Sequence, residues 1–228
     1  MHMEYFDKLS DDQRELIEKH LSLVIEKNEQ TNLTRITNWE EALVLHVEDS
    51  LSALEEVNEA PQGLLGDLGS GAGYPGIPLS VVTGRKTVLI DSRLKKMNLV
   101  DEMIAELQLG GQISTFAGRA ELLARKKGGE FAVLTARALA KLPVLMELAS
   151  PLLKKGGYLV CYKAKIEEEE VNQALALQKI TGMKFASIRD FELIGEYERS
   201  IVTFEKASKA TVSLPRKEGE AQKKPLMP

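Results

Sequence analysis

Asp67-Leu68-Gly69-Ser70-Gly71-Ala72-Gly73-Tyr74-Pro75-Gly76 is the stretch with the clearest chemistry. Glycines at alternate positions permit positive φ and let a ligand approach the backbone, at a cost in chain entropy. Residues 71–76 match G-x-G-x-x-G, which by itself fits a dinucleotide site. The acid two residues before the first glycine points elsewhere. Beside a diphosphate it would set two negative charges face to face. It suits S-adenosylmethionine, whose amino group and sulfonium are cationic and which has no phosphate. The pattern favours a methyl donor and leaves a dinucleotide as the alternative.

Other residues extend this reading. Asp91 ends the apolar run that starts at Thr87. A carboxylate there accepts both ribose hydroxyls of an adenosine, although it also suits a helix N-cap. Ala120 and Glu121 follow the next run, where an adenine would lie; Glu121 equally suits a helix start. Arg137, Lys163 and Arg199 stand at or near the ends of later runs. Arg137 suits donor or RNA, and the other two suit phosphate, against the plainer reading of surface charge. His46 and Asp49, three apart on one helix face, suggest a metal or acid/base pair, or a hydrogen-bonded structural pair. With no third ligand in view, no metal site is assigned. Cys161, inside a strand, reads as a small buried apolar residue.

These residues need a frame. Ser10 with Gln13 is a capping box, and the spacing of Leu16, Ile17, Leu21, Val24 and Ile25 predicts a helix over 11–29. Asn38 with Glu41 caps a second helix whose face runs from Trp39 to Val57. From residue 64 the pattern alternates. Strands are predicted at 64–68, 87–91, 112–116, 131–135 and 158–162, with helices over 75–83, 93–108, 143–154 and 166–180. Alternating βα units imply a mostly parallel sheet covered on both faces. Strands at 184–191 and 200–204 lie too close for a crossover, so they pair antiparallel. Beyond Lys206 the residues are basic, aperiodic and Pro-bearing, and read as a tail. The expected organisation is a helical extension over 1–60, a Rossmann-like body over 61–206 and a basic tail over 207–228, working as one unit.

Composition bounds the alternatives. With 228 residues and 43% hydrophobic side chains, the chain can bury a core. It has no apolar run long enough to span a bilayer, no secretory layout at its start, and one cysteine. The expectation is a cytoplasmic protein without membrane contact, working as a monomer. The net charge of −4 argues against a nucleic-acid partner only until it is divided. Residues 1–60 carry −10, residues 61–205 carry +2 and residues 206–228 carry +4. A binding surface responds to its local field.

With these residues assembled, the chain resembles the GidB/RsmG family, the small-subunit ribosomal RNA guanine-N7 methyltransferases. The likeness runs from Asn32-Leu33-Thr34 through His46-Val47-Glu48-Asp49-Ser50-Leu51 and the glycine loop with Ile77-Pro78. It continues in Asp91-Ser92, Arg119-Ala120-Glu121, Thr135-Ala136-Arg137-Ala138, Lys163-Ala164, Arg199 and the tail around Pro215-Arg216-Lys217. Tyr74 replaces a common phenylalanine, and Lys141 stands where a second arginine is frequent. The resemblance implies a class I, seven-stranded fold with N-terminal helices. It places S-adenosylmethionine at Gly69, Tyr74, Ala120, Glu121 and Arg137, to which the ribose argument adds Asp91. It implies methyl transfer to N7 of a guanine in 16S RNA, free or in the small subunit; another methyl acceptor, or an NAD-dependent oxidoreductase, is the alternative. Guanine N7 has a free lone pair at neutral pH, so no general base is required.

Overall fold

A computed structural model describes residues 3–29 and 31–227. The first helix, α1 (Asp11–Asn28), opens on the capping box: Ser10 Oγ accepts from the Gln13 amide, and the Gln13 side chain accepts from the Ser10 amide. The expected second helix is present but broken. Its path is α2 (Trp39–Ala42), a π-helical stretch over Leu43–Glu48, α3 (Asp49–Leu51) and α4 (Leu54–Glu59). The cause lies outside the helix. The carbonyls of Leu45, Ser50 and Ser52 accept from Arg137, Tyr162 and Arg189, and the Ser50 and Ser52 hydroxyls turn back onto the His46 and Asp49 carbonyls. Carbonyls spent on side chains do not hold a regular ladder.

The body alternates as expected: β1 (Leu64–Leu68), α5 (Gly76–Thr83), β2 (Thr87–Asp91), α6 (Leu94–Glu106), β3 (Ile113–Ala117), α7 (Ala120–Lys127), β4 (Phe131–Arg137), α8 (Leu142–Ala149) and β5 (Leu153–Lys163). Then come α9 (Glu168–Ala176), α10 (Gln178–Thr181), β6 (Met183–Leu193) and β7 (Tyr197–Lys206). Helix α7 was not among the expected elements. The helix expected over 143–154 stops at Ala149, because Pro151 has no N–H to continue it. The helix expected over 166–180 breaks at Leu177, where the Gln178 amide bonds both the Leu175 carbonyl and the Phe185 N–H.

The strands form one sheet, ordered β3-β2-β1-β4-β5-β7-β6. Strands β1 to β5 run parallel, and β7 lies antiparallel between β5 and β6. Alternate residues serve opposite faces: Val88 and Ile90 pack with α7 and α8, and Leu89 packs with α1, α5 and α6. The N-terminal helices thus share a core with the sheet helices. The sequence after β7, read as a tail, is folded onto the protein: it adds α11 (Glu220–Lys223), whose Ala221 is fully buried. The order reverses between β1 and β4, and ligands of such sheets bind at the carboxyl ends there.

Arg85 fastens the extension to this sheet. Its guanidinium donates to the carbonyls of Val57 (2.9 Å), Ala60 (2.9 Å), Pro61 (2.8 Å) and Gly63 (3.4 Å). A buried cation facing the C-terminal carbonyls of α4 satisfies groups that otherwise stay unpaired. Replacing it by leucine is expected to lower the unfolding free energy by about 2–4 kcal/mol. Urea denaturation of Arg85→Leu measures this, and an unchanged midpoint would contradict it.

Candidate active site

The glycine loop leaves β1 at the switch point. The Gly69 and Ser70 amides donate to the Ile90 carbonyl at 2.8 and 3.2 Å, which ties the loop to β2. Gly69 has φ +75°, and a Cβ there would lie 2.9 Å from Leu139 Cδ1. Asp67 has a different task from the one its chemistry suggested. It is fully buried, accepting from the Gly76 N–H at 2.9 Å and the Thr135 hydroxyl at 3.0 Å. Burial pushes its carboxyl up to about 6, against the opposing pull of those two donors. Asp67 shapes the loop and does not line the cleft.

The cleft itself has a volume of about 220 Å³. Of the expected donor residues, Gly69, Asp91, Ala120 and Glu121 line it together. Asp91 accepts from the Gly71 amide (3.2 Å), the Arg93 amide (2.9 Å) and the Arg93 guanidinium (3.1 and 3.0 Å). Burial alone raises its pKa, but the Arg93 contacts and the Gly71 N–H outweigh burial and hold it below the usual carboxylate range. Arg93 is 58% exposed, so ribose hydroxyls meet an ionised carboxylate shared only with a solvent-facing partner. Ala120 begins α7. One Glu121 oxygen accepts from the Gly219 N–H at 2.7 Å, so this residue also anchors the C-terminal segment. A glycine with no room for Cβ beside an ionised carboxylate fits an adenosine.

Tyr74 and Arg137 sit elsewhere. Tyr74 does not line the cleft; its ring is buried between His20 (4.6 Å) and His46 (4.8 Å). Arg137 lies over the same ring at 5.8 Å and donates to the Leu45 carbonyl (2.9 Å) and Asp49 (2.8 Å). Arg199 reaches the other Asp49 oxygen at 2.8 Å. His46 and Asp49 therefore have separate partners, His46 bonding the Thr34 hydroxyl at 2.8 Å. Lys163 is apart from both, held by Glu170 (2.6 Å) and the Ala140 carbonyl (2.9 Å). None of these three cations is unpartnered: Lys163 pairs with Glu170, and Arg137 and Arg199 share Asp49. Among the described residues no group of three His, Cys, Asp or Glu side chains could hold a metal. Cys161 is fully buried, which pushes its thiol up to about 12.

The cleft also contains residues that sequence reasoning did not assign. Ala138 and Leu139 follow β4, and Ala138 has φ +52°, uncommon for a residue with a side chain. Arg119 and Gln222 close one side, with Arg119 Nη1 donating to Gln222 Oε1 at 3.3 Å. Only the motif around Arg137-Ala138 and Arg119 carried a signal for any of these.

A sheet of this order, with a cleft lined by a glycine loop and a buried carboxylate at its switch point, defines a class I, S-adenosylmethionine-dependent methyltransferase. Within that class the chain belongs to the GidB family, rRNA small subunit methyltransferase G, which it matches over residues 13–202. A protein of Desulfitobacterium hafniense (strain Y51), ribosomal RNA small subunit methyltransferase G, is 40% identical over 225 residues, covering 96% of this chain and 92% of that one. The same enzyme of Staphylococcus carnosus (strain TM300) is 34% identical, with 96% and 93% covered. Among solved structures, the geranyl diphosphate C-methyltransferase of Streptomyces coelicolor A3(2) superposes with a TM-score of 0.55 at 11% identity, covering 70% of this chain and 79% of that one. The precorrin-6y C5,15-methyltransferase of Geobacter metallireducens GS-15 gives 0.51 at 11%, with 69% and 87% covered. These distant likenesses concern the fold alone.

The histidines around Tyr74 make stability pH-dependent. Burial holds His20 at about 4; burial, then the Arg137 charge, holds His46 at about 4. The unfolded chain takes up those protons near 6.5, so stability is lost as pH falls from 6.5 towards 4. Asp67 opposes this, because its folded carboxyl protonates near 6 instead of 3.8. The balance is a net loss of about 3 kcal/mol across that window. Urea midpoints at pH 7.5 and 4.5 test the loss, and His20→Gln is expected to flatten it; an equal slope in the variant removes His20 from the account.

Proposed function

We propose that this chain transfers the methyl group of S-adenosylmethionine to N7 of a guanine in 16S ribosomal RNA, on free RNA or on the small-subunit particle. Membership of the GidB family carries the RNA acceptor, and the cleft lined by Gly69 and Asp91 supports the donor. The donor supplies an electrophilic methyl group on a sulfonium. The chain's part is to hold both partners in line. Gly69 lets the donor lie against the loop backbone, Asp91 takes the ribose hydroxyls, and Ala120 and Glu121 flank the adenine. Tyr74 acts from behind the loop, as the packed anchor that fixes its path. Arg137 reaches the reaction through the Tyr74 ring and Asp49, at the end of β4. No side chain has to accept a proton, and orientation alone is worth up to ~7–11 kcal/mol in intramolecular reactions.

Arg137, Lys163 and Arg199 are the proposed RNA-side cations. Their side chains are 16%, 15% and 18% exposed, and each is engaged by a carboxylate. A phosphate must compete with Asp49 or Glu170 for them, which favours a shaped target over arbitrary RNA. The helical extension, body and tail divide at 1–60, 61–206 and 207–228 and act as one cytoplasmic monomer. Among the described residues, no helix is long and apolar enough to cross a membrane.

Incubation with labelled S-adenosylmethionine and small subunits lacking the modification, followed by nucleoside mapping, tests the reaction. Label is expected as 7-methylguanosine; label absent from RNA, with donor-binding protein folded, would refute it. Gly69→Val places a branched side chain at φ +75° against Leu139, so donor affinity measured by calorimetry is expected to fall below detection. RNA affinity is expected to fall with salt less steeply than the slope of about −2 to −2.7 that free cations at these three positions would produce; a steeper slope on arbitrary RNA would contradict the paired state.

A further inference from the structure

The donor cleft has a wall made by the last residues of the chain. Arg216 forks onto the buried Glu147 carboxylate, Nε to Oε1 at 2.7 Å and Nη2 to Oε2 at 2.6 Å. Glu147 lies on α8, next to the cleft residue Leu148. Three residues on, the Gly219 N–H donates to Glu121, a cleft residue, at 2.7 Å. Gly219 has φ +71°, which turns the chain into α11. One turn of α11 then places Gln222 in the cleft lining, with Oε1 accepting from Arg119 at 3.3 Å. Both halves of this contact flank the site expected for the adenine: Arg119 directly precedes Ala120 and Glu121.

We infer that Gln222 is a donor-contact residue that reads the adenine, with Arg119 as its positioning residue and the Arg216–Glu147 fork as the tether that keeps it there; this rests on the cleft being the donor site. The chemistry is specific. A primary amide matches the edge of adenine that pairs an N6 amino donor with the N7 acceptor, because it carries one acceptor and one donor group at the right separation. Arg119 takes only one lone pair of Gln222 Oε1 and leaves the other for the N6 amino group. The Gln222 Nε2 hydrogens have no acceptor among the described residues and so are free to donate to N7 of a bound adenine. Asp91 and Gln222 then hold the two ends of the adenosine, one at the ribose and one at the purine edge. The amide comes from a segment that a reading by periodicity leaves as a tail.

The test measures binding of S-adenosylhomocysteine and its 6-oxo analogue S-inosylhomocysteine by calorimetry, in the full chain. Gln222 is exposed and near the C-terminus, so its variants are expected to keep the parent thermal midpoint. Gln222→Ala should weaken the adenosyl ligand about tenfold and the inosyl ligand less than about twofold, since a 6-oxo group sets a second acceptor against Gln222 Oε1 and that repulsion offsets the bond N7 retains. Gln222→Glu preserves the link to Arg119, now charged, but has no hydrogens for N7; it should lose about as much as the alanine variant. Wild-type affinity in Gln222→Ala would overturn the inference, and so would wild-type affinity in Gln222→Glu, which would leave the segment a strap without a reading function. Gly69→Val is the control on the site: if it binds normally, the donor-site reading itself fails, whatever Gln222 does.

Discussion

One carboxylate organises the carboxyl edge of the sheet. Asp49 is buried at the end of the π-helical stretch, and its two oxygens hold Arg137 from the end of β4 and Arg199 from the start of β7, both at 2.8 Å. The alternatives are unfavourable: two guanidiniums beside a packed aromatic ring with no counter-charge, or a buried acid with none. Because the acid must sit where both arginines reach it, the helix that carries it cannot stay regular. Its π turn presents the Leu45 carbonyl to Arg137 as a second acceptor. The same arginine covers the Tyr74 ring, which holds the glycine loop from below. The donor loop, two strand ends and the N-terminal helices are thus positioned by a single charge balance.

This explains which parts of the protein were legible in the sequence. Local signals were reliable where the competing interactions were also local. The Ser10–Gln13 box, the Asn38 cap and the first two strands with the glycine turn between them appear where their residues predict them. The π stretch was not legible, because the donors that unwind it lie 92, 112 and 137 residues away. The same holds for the C-terminal segment, whose fork onto Glu147 spans 69 residues and leaves no periodic trace. Tyr74 shows a third limit. Its neighbours in sequence mark a ligand loop, yet which side of that loop a ring faces depends on what packs there, here His20 and His46.

Charge followed a similar course. Division of the net −4 by segment located the acid in the N-terminal helices, and part of that acid is inside the structure neutralising the body. Asp49 takes two arginines, and Glu56 takes Arg189 of β6. Four lysines without such partners lie together elsewhere: Lys154, Lys155, Lys206 and Lys209 line a cavity with no carboxylate, at the amino end of β5. Sequence arithmetic gives the supply of charge, and only pairing decides how much of it remains to act at a distance.

The strand order has a consequence for how the chain is made. β7 lies between β5 and β6, so the last strand in the sequence is not an edge that adds to a finished sheet but the piece that joins β6 to everything else. A ribosome delivers residue 49 early and residue 199 late, and contacts so far apart in sequence form slowly. Until β7 has been synthesised, Asp49 has only one of its two arginines. A chain cut short before that strand would keep the glycine loop and the strands on either side of it, yet it would leave β6 unattached and half of the central charge balance open. Strand β7 is therefore the element on which both the attachment of β6 and the second half of the Asp49 charge balance wait.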